Sequence, residues 1–168
     1  MNSEGSYLAA WFGRPAYAVA IFLVAHAIAT VISSSWPADP GSVVWRYSTE
    51  GIVSSFLTPI ILGLLLASAA AVSLRHTTVL RLVTVADWLV AVICFGLTID
   101  CGLNGIQIRH QVNQDNMSAL KVAVVRGCFL FITASILSGW LAMVSRGSAR
   151  QLAEIAPQEE TAHPLVSI

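Results

Sequence analysis

Charged side chains are scarce in this chain. Lys and Arg number 9 and Asp and Glu 9, so 11% of its 168 residues carry charge, against roughly 25% in an ordinary soluble domain. That is too little to cover the surface of a soluble fold, and the mean hydropathy of +0.74 agrees. The class left standing is an integral membrane protein. The formal net charge is zero, so no basic field points to nucleic acid, and no nucleic-acid partner is expected. Cysteine is sparse too. Cys94, Cys101 and Cys128 all fall inside hydrophobic runs, and no C-x-x-C occurs. That spacing writes neither a thioredoxin-type redox pair nor a zinc knuckle, so free thiols acting as small hydrophobes are expected. Lys121 is the one lysine, and alanine is abundant, a composition that leans toward a bacterium with GC-rich DNA. A metal-ligand set, a nucleophile with its base and a phosphate loop are all missing. No catalytic residue, metal or cofactor is therefore expected.

What is present is hydrophobic length. A membrane helix needs roughly 20 mostly apolar residues. Four stretches come close: about Pro15 to Ser34, Gly51 to Ser73, Leu82 to Leu103, and Ala119 to Ser145. The segments between them are polar or turn-rich and could not satisfy their backbone groups in lipid. The expected fold is an all-α, polytopic four-helix transmembrane bundle with short loops. Residues 1–14 form an N-terminal segment, and 146–168 a partly disordered C-terminal tail. The first run exceeds the usual h-region of a signal peptide and is expected to stay as a helix. Arg14, Arg75, Arg81, Arg146 and Arg150 fall on one side of this threading, and Arg46, Arg109 and Lys121 on the other. The bias places both termini in the cytoplasm, with the inner membrane of a bacterium as the location. Trp11, Phe12, Trp36, Trp45, Tyr47, Trp88 and Trp140 cluster at predicted helix ends, as an aromatic belt does.

The ionisable residues inside these runs are the candidate sites. Asp87 and Asp100 lie 13 residues apart, about 20 Å along a helix and about 140° around it. They are expected near the two ends of the third span, too far apart and too differently directed to form one carboxylate pair. Asp87, beside Trp88, reads as an interfacial end-marker within reach of water. Asp100 matches the depth of Arg126 in the fourth span, and the expectation is an ion pair that Glu50 could join. Such a pair reads more readily as fixing helix register than as a relay. His26 is the deepest ionisable residue of the first span. His76, His110 and His163 do not match its depth, which argues against a bis-histidine haem. A hydrogen bond to the Ser54, Ser55 and Thr58 cluster is expected instead. Pro59 should free a carbonyl that nearby hydroxyls can satisfy. Gly63, Ala67 and Ala71, and again Ser135 and Gly139, read as small-residue stripes for close helix packing.

Three functions fit these residues. The first is a non-enzymatic accessory, assembly or interaction subunit in the lipid bilayer, with a protein partner or a second copy of the chain. The second is a small oligomeric transporter or channel. Four spans of this size resemble the general architecture of small multidrug transporters. The resemblance stops at span count, because those carry a glutamate in the first helix where this chain has His26. The third is a membrane redox enzyme using Cys101 and Cys128.

Overall fold

The computed structural model describes the backbone over residues 3–110 and 116–162, and side chains over 13–110 and 116–154. Four helices fill it: α1 (Ser3–Ser34), α2 (Val43–Ser73), α3 (Thr77–Ile108) and α4 (Met117–Ala162). No strand occurs among the described residues. All four helices are long and apolar enough to cross a membrane. Even α2, with 31 residues, is about 46 Å long, against about 30 Å for a hydrocarbon layer.

Each helix runs past the apolar stretch that announced it. α2 starts at Val43 rather than Gly51, because Ser42 caps it: the Trp45 amide donates to Ser42 Oγ at 3.3 Å. The Trp45 indole then donates to the Ser35 carbonyl at 3.0 Å, and Arg46 to Gln107 at 3.1 Å. These bonds turn a polar segment into a pinned first turn. α2 ends where Arg75 takes a left-handed φ of 55°. The His76 amide there donates to the Ala71 carbonyl at 2.8 Å, as at many helix ends. Helix covers much of the segment after Arg146. α4 continues as helix past Arg146 to Ala162. Packing holds the extension, since Ala149 is buried with Ala71 and Leu80 and Leu152 joins them. Residues 1–2 and 163–168 lie outside the described residues.

Consecutive helices run antiparallel, with Gly13 beside Leu74, Glu50 beside Asn104 and Gly105 beside Val124, so the start of α1 and the end of α4 lie at one end, here the terminal end. Small residues set the seams. A side chain at Gly63 would come within 2.7 Å of Val24 and 3.0 Å of the Ala20 carbonyl, and one at Gly13 would strike Leu74. α1 and α2 thus approach closely. Across α3 and α4, Gly105 meets Val124 and Gly127 meets Cys101. Ser135 Oγ donates to the Ala91 carbonyl at 2.8 Å, and a side chain at Gly139 would come to 4.0 Å from the Ala91 Cβ. Ala67 packs on the Leu64, Val83 and Leu141 cluster, so the Gly63–Ala67–Ala71 stripe is split between α1 and the α3–α4 side. Four residues turn a helix by about 400°, and the stripe drifts about 80° over its length. α3 and α4 share the most extensive interface, and α2 packs on both. α1 packs mainly on α2, and its Tyr17 reaches beyond α2 to bond His76 at 3.2 Å and to pack on the Ala71, Leu80 and Ala149 cluster. The core is therefore a three-helix one, with α1 on its flank. Pro59 sits within an unbroken α2. The Ser54 and Ser55 hydroxyls both donate to the Gly51 carbonyl, not to the carbonyl that Pro59 frees.

Candidate functional site

Two acids lie inside this three-helix core at different levels. Glu50, on α2 near the far end, is 5% exposed. Its Oε1 accepts a hydrogen bond from Asn104 Nδ2 at 2.6 Å, while Oε2 has no partner among the described residues. Asp100 and the Cys101 thiol stand close enough to interact with the same carboxyl. An open cavity of about 920 Å³ lies against this group, lined by Tyr47, Glu50, Ser54, Thr58, Arg126 and Phe131 among others. That volume falls in the range of about 300–1,000 Å³ usual for ligand pockets.

The expected ion pair is not formed. Arg126 is exposed and stands on the cavity wall, and no ion pair joins it to Asp100 among the described residues. At this depth the α3–α4 seam is filled by Cys101 against Gly127 and Val124 against Gly105. Small residues draw the two backbones together and leave no room between them for a carboxylate and a guanidinium. Asp100 keeps company with Glu50 instead. Equal depth and opposite charge were insufficient to pair the two, because small residues already own the seam.

Asp87 is the second acid, and its expected role as a water-exposed end-marker also needs correcting. It is 0% exposed, and neither carboxyl oxygen has a partner among the described residues. Leu80, Val83, Asp87, Ala91 and Cys94 are all buried and recur every three or four residues, which puts Asp87 on the face of α3 that enters the core. Trp88, one step round the helix, is 45% exposed. In a 30 Å layer centred on α3, Asp87 lies about 7 Å inside the nearer boundary. Polar groups gather at its end of the core. Ser138 is 1% exposed with an unpartnered hydroxyl, and Ser68 and Ser145 bond across α2 and α4 at 3.1 Å. Between the Glu50 and Asp87 levels lies an apolar plug of Leu57, Cys94, Cys101, Phe131 and Ala134. Cys101 and Phe131 belong to both the plug and the cavity lining.

His26 makes no bond to α2 among the described residues. It is exposed and stacks on Phe22 of its own helix at 5.6 Å, while Ser54, Ser55 and Thr58 face the cavity on the other side of α2. The face of α1 that meets α2 is built from Gly13, Ala20 and Ala27, seven residues apart and all buried, and His26 falls beside that face. The cysteines are unbridged. The Cys101 thiol points to the Val124 carbonyl and the Cys128 thiol to that of Thr98. Sequence reasoning missed Ser68, Ser138 and Ser145. Their signal was available: hydroxyls inside apolar runs, with Ser138 and Ser145 two helical turns apart.

Carboxyls enclosed in this way can exchange a proton or hold a small cation. No family model matches the chain, and no curated protein or solved structure matches it.

Proposed function

We propose that the chain is a multi-pass membrane protein that conducts a proton or a small cation, with Glu50 at an outer vestibule and Asp87 at an occluded inner site. The setting is a cell membrane of bacterial type with both termini in the cytoplasm, which the arginine bias at the terminal end supports. Asp87 carries the reading. A buried carboxyl with no bonded partner adds only an energetic cost to the fold, so packing gives no account of it. Ionisable groups inside membrane spans mark ion pathways by default. The vestibule, the apolar plug below it and the second acid beyond the plug are consistent with a path that is open at one end and closed at the other.

This puts transport ahead of an accessory subunit, which rested on what the sequence lacks. Reconstitution into liposomes with an imposed pH or sodium gradient tests it. The expected outcome is dissipation of one of these gradients by the wild type and its loss in Asp87→Asn. The reading fails if the wild type dissipates neither gradient, or if Asp87→Asn behaves as the wild type. A stoichiometric protein partner recovered in mild detergent, with no flux, would restore the accessory reading.

A further inference from the structure

A second hollow, of about 440 Å³, opens between α3 and α4 toward the terminal end. Arg81 of α3 and Arg146 and Arg150 of α4 stand on its wall, with Val85 and Trp88 below them. Ala149 and Ala153 also line it, and their short side chains leave the space open. No carboxylate is among its lining residues, and among the described residues none of these three guanidiniums is paired. Three cations therefore converge on a hollow with nothing in it to neutralise them.

Depth identifies the occupant. With a 30 Å layer centred on α3, Arg81 lies about 2 Å outside the hydrocarbon boundary, where lipid phosphates sit. Arg146 is level with it, by the register that sets Leu80 against Ala149 and Val83 against Leu141. Arg150 is about 6 Å farther out, one turn along α4. Trp88 is about 10 Å deeper than Arg81, at acyl-chain level. Val85 and Trp88 are 59% and 45% exposed, so the lower wall is an open apolar surface. A free anion would use the arginines and leave that surface without a role. An amphiphile uses both.

We infer that this hollow seats an anionic phospholipid, its phosphate among Arg81, Arg146 and Arg150 and an acyl chain along Val85 and Trp88. Basic pockets between membrane helices recognise anionic headgroups in this way. The inference rests on the membrane-spanning reading and is independent of conduction through Asp87.

Quenching of Trp88 by brominated lipids tests it, with the Trp88 signal taken as the difference between wild type and Trp88→Phe. In mixed liposomes, brominated phosphatidylglycerol should quench at a mole fraction at least about tenfold lower than brominated phosphatidylcholine, since each arginine is worth about fivefold. Arg81→Gln, Arg146→Gln and Arg150→Gln should each reduce that preference by about fivefold, and Arg→Lys changes should keep most of it. Equal quenching of the wild type by the two lipids would overturn the inference without any need for a variant. An undiminished preference in the triple Gln variant would overturn it too. Inorganic phosphate should leave the quenching unchanged; release of the lipid by phosphate would make this a soluble-anion site instead. Asp87→Asn should bind the lipid as the wild type does, so a failure of conduction and a failure here are separate results. Flotation of the wild type with liposomes checks insertion itself.

Discussion

Glu50 and Asp87 are buried to nearly the same degree, at 5% and 0% exposure, yet one is bonded to Asn104 and the other to nothing among the described residues. Glu50 borders a cavity; Asp87 is fully buried, on the far side of the apolar cluster. The contrast teaches that burial alone does not say which acid the fold depends on. The partner does. A bonded carboxyl contributes to helix register, and its loss should be felt by the fold. An unbonded carboxyl contributes nothing to register, and its loss should be felt by function alone.

The contrast can be sharpened by removing partners. Asn104→Leu leaves Glu50 buried without its bond, and should destabilise the protein by about 2–3 kcal/mol, read as a lower denaturation midpoint in detergent. The cavity supplies the next test. In variants that keep one cysteine each, a water-soluble methanethiosulfonate should modify Cys101, which borders the cavity, while Cys94, inside the plug, stays unmodified over the same interval. Equal rates would mean that the plug does not seal the Asp87 level. Asp87→Leu breaks no bond and should leave the midpoint within about 1 kcal/mol of wild type, or raise it. A drop as large as that of Asn104→Leu would erase the distinction between the two acids. The smallest effect belongs to Asp100 and Arg126. A double-mutant cycle of Asp100→Ala and Arg126→Ala should give a coupling energy within about 0.5 kcal/mol of zero, because the two do not meet.

Much of the fold was legible in the sequence. The four apolar runs mark the four helices, since length and hydropathy are local properties. Helix ends were less legible, because the bonds that extend α2 to Val43 and the packing of Ala149 and Leu152 that carries α4 past Arg146 involve other parts of the chain. The site was least legible, and for a definite reason. These helices are apolar all round, so no hydrophobic stripe shows which face turns inward. Asp87 could be placed by depth but not by direction. A finer signal existed. Val83, Asp87, Ala91, Cys94 and Cys101 are small or modest in size and share one face of α3, and in membranes small residues mark the packed face. The pairing of Glu50 with Asn104 needed the register of α2 on α3, which no single span encodes.

The flanking position of α1 has a consequence for how the chain is assembled. During synthesis α1 emerges before the other three helices, and its main neighbour is α2, so those two can join as a hairpin before α3 and α4 exist. α3 and α4, with the most extensive interface in the protein, form a second hairpin. Membrane helices insert individually and associate afterwards; in an assembly by hairpins, the last event is the docking of one on the other, through α2 and the Tyr17 contact with the Leu80 and Ala149 cluster. The Glu50–Asn104 and Ser68–Ser145 bonds both cross that junction, and the vestibule opens along it. Its polar residues are thus the last to leave water or lipid, and the junction that closes last is also the one whose reopening disturbs neither hairpin.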